Sequence, residues 1–171
     1  MYIKIATLIV LVVLFLQDWN DRKVYWLLFP VLVLLLIGKR LFDQEQFNEV
    51  MENSVYSLGF VSIQLILLTG WFSFKYRRWI MVTTGLIGWG DIWLLLSLCF
   101  YLSIYHYIFF YLGSLLLITL GWPLWQFMSG NKTKFIPFAG LQALLFGLLL
   151  LMEWTGILSL DNVKWVNNFL G

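Results

Sequence analysis

Two aspartates carry the chemistry this sequence can offer. Asp18 closes the apolar run that begins at Tyr2, and Asp91 opens another run far along the chain. Ionisable groups at membrane depth are costly, so those that persist there mark function by default. Two carboxylates brought together share a proton, because like charges in contact do not both ionise freely. Such a pair can hydrolyse a peptide bond: one carboxylate activates water while the other, protonated, polarises the scissile carbonyl. The segment Asp18-Trp19-Asn20-Asp21-Arg22 sets aspartate and arginine at i and i+4, on one helical face. The segment Gly88-Trp89-Gly90-Asp91 flanks the second aspartate with residues that let backbone or substrate approach closely. Each acid also has a structural use, Asp18 as an interfacial partner of Arg22 and Asp91 as a helix N-cap. A helix C-terminus disfavours negative charge and an N-terminus favours it. On that basis Asp91 is expected to be the ionised, water-activating member and Asp18 the protonated one, with Arg22 opposing this by stabilising Asp18 as an anion.

Other chemistries are largely excluded. The chain has one cysteine, Cys99, and one histidine, His106, too few for an ordinary zinc site or an intrachain disulfide. No metal and no cofactor are expected. A net charge of +2 leaves no electrostatic footprint for nucleic acid. Glu153 is expected to pair with a polar neighbour or to reach outward, and Gln64, Gln126 and Gln142 to hydrogen-bond between helices.

The elements that must position the aspartates follow from composition. Of the 171 residues, 61% are hydrophobic and only 12% charged, with a mean hydropathy of +0.86. Neither a disordered chain nor an ordinary soluble domain has that balance. The expected fold is all-α: a polytopic membrane bundle of about six transmembrane helices, in one domain over residues 1–171. The spans are expected at 2–17, 24–38 (kinked by Pro30), 54–72, 91–103, 108–127 and 136–158, with a surface helix in the polar stretch 39–53. The first span is expected to be retained, since no small-residue cleavage site follows it. Six spans put Arg22, Lys23, Lys75, Arg77, Arg78, Lys132 and Lys134, seven of the eleven basic residues, on one side. That side is expected to be cytoplasmic, and both aspartates share it.

On these residues the sequence resembles the type IV prepilin peptidases, membrane aspartyl peptidases of the GxGD class. That family sets one aspartate in D-x-x-x-R-x-I/V, here Asp18 to Val24, and the other in G-x-G-D, here Gly88 to Asp91. Ile136-Pro137-Phe138-Ala139 is similar to the family's I/V-P-F-G. Three positions depart: Trp93 where lysine is usual, Tyr25-Trp26 where Pro-Asn or Ser-Asn is usual, and Gly140 where proline is common. The resemblance implies the short, peptidase-only form, without a cytoplasmic cysteine-rich insertion. It implies cleavage of the leader from prepilin-like or pseudopilin-like membrane substrates at the cytoplasmic face of a bacterial or archaeal inner membrane. Asp18 and Asp91 would be catalytic, Gly88 and Gly90 would shape the loop, Arg22 would stand by the first aspartate, and Ile136, Pro137 and Phe138 would pack near the site. The second reading is a non-catalytic membrane protein, either a degenerate homologue acting in assembly or a small transporter.

Overall fold

The computed structural model describes residues 2–21, 24–43, 46–77, 88–129 and 136–158. Arg22, Lys23, Arg78, the half-apolar segment 79–86, the loop lysines Lys132 and Lys134 and the tail from 159 onward lie outside the described residues. The described chain is all helical, with α1 Tyr2–Asn20, α2 Leu28–Phe42, α3 Phe47–Tyr76, α4 Trp89–Leu98, α5 Ile104–Ser129 and α6 Phe138–Trp154. Three stretches, Tyr2–Asn20, Phe47–Tyr76 and Ile104–Met128, are long and apolar enough to cross a membrane; α4 and α6 are shorter apolar helices. This is a helical membrane protein.

Several boundaries differ from the sequence expectation for identifiable reasons. The polar stretch does not form a separate surface helix. Its residues from Phe47 onward join the third span in one 30-residue helix. Nothing from Phe47 to Ser54 breaks a helix, and Val50 is fully buried, with its carbonyl also accepting from Ser54 Oγ at 2.7 Å. Arg77, in the left-handed conformation at φ 50°, closes α3. Lys39 and Arg40 belong to the last turn of α2 and are buried, not looped out. Cations at a helix C-terminus oppose the exposed carbonyl charge, and Lys39 also pairs with Asp43 one turn on. Pro30 falls in the first turn of α2, where a missing N–H costs no helical bond. Pro123 is the proline inside a helix, toward the end of α5.

The short α4 ends in buried non-helical backbone, residues 99–103. Irregular backbone at membrane depth persists only where protein satisfies it. Ser57 Oγ of α3 donates to the Leu102 carbonyl at 3.4 Å, and Tyr107 Oη of α5 donates to the Leu95 carbonyl at 3.2 Å. These bonds fix the turn that reverses the chain from α4 into α5.

Helix α6 sits against α1, α4 and α5. Ala139, Ala143 and Gly147 repeat at i, i+4 and i+8, the small-residue spacing that lets helices approach closely in lipid. Leu11 and Leu14 of α1, Leu32 and Leu36 of α2, Leu94 and Leu98 of α4 and Phe146 of α6 fill the common core. Polar ties cross between helices: Gln64 Nε2 donates to Tyr111 Oη at 2.5 Å, and Gln142 Nε2 donates to Ser114 Oγ at 3.2 Å. At the end holding the first residues of α1, Tyr101 Oη donates to Glu153 Oε2 at 2.7 Å, and Lys4 Nζ lies 5.2 Å from the Trp154 ring centre. Glu153 thus has the polar neighbour expected of it. Tyr101→Phe leaves that carboxylate without its donor inside the bundle and is expected to cost about 1–3 kcal/mol. Thermal unfolding in detergent, compared with the parent chain, measures the loss.

Candidate active site

The opposite end of the bundle collects the C-terminus of α1 and the N-termini of α2, α4 and α6. Asp18, in the last turn of α1, is 8% exposed, although it is an acid at the end of an apolar helix. Its burial is explained by its partner. Asp18 Oδ2 accepts the backbone N–H of Gly140, in the first turn of α6, at 2.6 Å. Gly140 fits there because it has no side chain. A Cβ would stand 3.0 Å from Asp18 Cβ, 3.1 Å from Asp18 Oδ2 and 3.2 Å from the Phe15 carbonyl oxygen.

Asp91 occupies the first turn of α4 and is half-buried. Its Oδ2 accepts the Gly88 N–H at 3.1 Å, so the acid reaches back over the start of its own helix. The N-cap position itself is Gly88, not Asp91. A Cβ on Gly88 would lie 3.1 Å from Asp91 Oδ2, so this glycine keeps the approach to the carboxylate open. Gly90 is packed on both sides, with Val24 and Ala139 at ordinary contact distance from where its Cβ would be. Val24 is delivered by the turn after α1, which is held by Gln17 Oε1 accepting the Tyr25 N–H at 3.1 Å. The helix start that carries Asp91 thus packs, through Gly90, against Ala139, the residue before the Gly140 that holds Asp18.

The two aspartates therefore meet at the first turn of α6. Of two successive residues of that turn, Gly140 bonds Asp18 and Ala139 packs against Gly90, the neighbour of Asp91. A helix N-terminus presents unpaired N–H groups and a positive dipole end. The contrast drawn from α1 and α4 leaves out α6, whose N-terminal turn donates to Asp18. Pro137 is the N-cap of α6 and is buried, Phe138 follows as its first residue, and Ile136 is exposed beside them. Arg22 lies outside the described residues. Trp93, in place of the usual lysine, is 46% exposed on α4. Among the described residues no His, Cys, Asp and Glu group could hold a metal ion.

Sequence reasoning missed Gly140 as a partner of Asp18, having marked it only as a departure from a motif. It also missed the aromatic wall beside Asp18. Trp19 meets Trp122 and Trp125 of α5 edge-on, with ring centres 6.0 and 5.4 Å away, and those two stack at 5.1 Å. Tryptophans concentrate at the membrane–water boundary, so the cluster places Asp18 at that level.

Two acids from separate helix ends, gathered at the N-terminal turn of a third helix, lie at one end of a helical membrane protein. A family model described as the type IV leader peptidase family matches residues 5–124, which include both aspartates. The chain belongs to that family and is peptidase-like in kind. Neither the comparison with curated proteins nor that with solved structures gave a match. The Ile136-Pro137-Phe138 opening of α6 lies beyond the matched residues.

The juxtaposition has a test independent of activity. In a Cys99→Ser background, Asp18→Cys combined with Asp91→Cys is expected to form an intrachain crosslink under mild oxidation or with a short bifunctional thiol reagent. A mobility shift lost on reduction, absent from either single-cysteine chain, is the expected readout.

Proposed function

We propose that this protein is an aspartyl endopeptidase that removes the leader peptide from prepilin-like or pseudopilin-like precursors. The observation that carries this reading is the meeting of Asp18 and Asp91 at one end of the bundle, in a chain of the leader peptidase family. The pair holds a single proton. The ionised carboxylate takes a proton from water as its oxygen attacks the scissile carbonyl carbon, and the protonated one donates to the carbonyl oxygen. Collapse of the tetrahedral intermediate breaks the C–N bond, with a proton passing to the leaving amine. The scheme uses neither a metal nor a covalent intermediate.

Gly88 and Gly90 leave room for the substrate backbone beside Asp91, and Ile136, Pro137 and Phe138 form the edge against which the cleaved segment lies. Arg22, four positions after Asp18 in the sequence, is assigned to the site by the family resemblance. The precursor's apolar segment stays in the bilayer while its leader is cut at the face that carries Lys75 and Arg77, the cytoplasmic face of a bacterial or archaeal inner membrane.

Co-expression with candidate precursors from the same genome tests the reading. The parent chain is expected to shorten at least one precursor. Asp18→Asn and Asp91→Asn, each alone, are expected to lower the cleavage rate by about 10²–10⁴-fold while the chain still accumulates in the membrane. Leader removal that survives both substitutions would sink the assignment.

A further inference from the structure

The first turn of α6 has a bonding pattern that its own helix does not use. The α-helical ladder begins with Leu141 N–H donating to the Pro137 carbonyl at 3.1 Å, and Phe138 N–H is taken by the Ile136 carbonyl at 2.9 Å. Between them stand Ala139 and Gly140, whose N–H groups have no acceptor within an α-helix that starts at Phe138. Gly140 gives its N–H to Asp18, across 122 positions of sequence, and Ala139 packs against Gly90, the residue before Asp91. One rigid turn thus stands against the ends of two different helices, each bearing an aspartate. Position 140 must also be nearly empty, since a Cβ would meet Asp18 and the α1 backbone at 3.0–3.2 Å. Proline, common here in the family this chain resembles, would have no N–H to give.

We propose that Gly140 is a positioning residue for the acid pair, its backbone N–H fixing the Asp18 carboxylate at the distance from Asp91 that the chemistry needs. The kinetic part rests on the peptidase reading; the geometric part does not. A side chain at the end of a helix has several rotamers, and a charge-assisted hydrogen bond from a rigid amide selects one of them. Placement of catalytic groups to within fractions of an ångström is what such a bond secures.

Replacing Gly140 by glycolate, through nonsense suppression in cell-free synthesis, turns the amide into an ester and removes the N–H without adding an atom. The same exchange at Gly147 removes an ordinary helical N–H from α6 and is the control. Two readouts are taken on full-length chains in lipid nanodiscs. The first is the titration of Asp18, followed by infrared difference spectra of ¹³C-labelled aspartate and assigned with Asp18→Asn. The second is precursor cleavage. The ester at 140 is expected to move the Asp18 midpoint by about one pH unit and the ester at 147 to leave it in place. It is expected to lower kcat by about tenfold with KM held within about twofold. Gly140→Ala, which keeps the N–H but crowds Asp18, is expected to lower kcat as well. An unchanged midpoint in the 140 ester overturns the proposal, as does an equal shift in the 147 ester. If the parent chain cleaves no precursor, the peptidase reading fails and the titration alone decides the positioning role.

Discussion

The contact on which the rest depends is the close approach of α1 to α6. In water, two apolar helices are pressed together by the solvent; in lipid that drive is absent, and association rests on packing and on polar bonds between helices. The small residues Ala143 and Gly147 provide the packing, with Leu8 and Leu11 of α1 lying near Gly147. The bond from Gly140 to Asp18 provides the polar tie at one end of the seam. At the other end, the Lys4–Trp154 contact joins the same two helices. Once α1 and α6 are in place, α4 docks beside α6 through Gly90, where Val24 and Ala139 occupy the space left by the missing side chain. The relative position of the two carboxylates is thus a result of helix packing.

The two ends of the bundle use polarity differently. The end holding Lys4, Tyr101 and Glu153 pairs opposite or complementary groups, as in the Tyr101–Glu153 and Lys39–Asp43 contacts. The end holding Asp18 and Asp91 sets like groups together and offsets their repulsion with backbone donors. A buried complementary pair is a lock, whereas buried like charges keep a proton exchangeable between them. Rigid packing at the first end supports the less comfortable arrangement at the second.

The aspartates were legible in the sequence because the background is so apolar: when few residues are charged, the two that end and begin helices at the same face stand out. The six helices were legible from hydropathy runs alone. What escaped was whatever depends on the partner helix. Nothing local marks Lys39 and Arg40 as buried, since their burial comes from the helices that surround the last turn of α2. The fusion of 47–53 into α3 escaped because polar residues were read as a membrane boundary, although helix formation depends on hydrogen bonding and not on hydropathy. Gly140 escaped because a glycine's role lies in what approaches it, here a side chain 122 positions away. The helix-end argument for Asp18 was incomplete for the same reason, since the N-terminus of α6 also stands against that acid.

The span between Asp18 and Gly140 also has a meaning in time. A chain made from its N-terminus releases α1 and its aspartate first, then α4 with the second, and α6 last of all. Until that last helix is inserted and docked, Asp18 lacks its Gly140 donor, and the small-residue seam has only one side. The acid pair is therefore completed late, after the bundle around it has been threaded into the bilayer. In a growing chain of this design both aspartates enter the bilayer before the helix that brings their ends together.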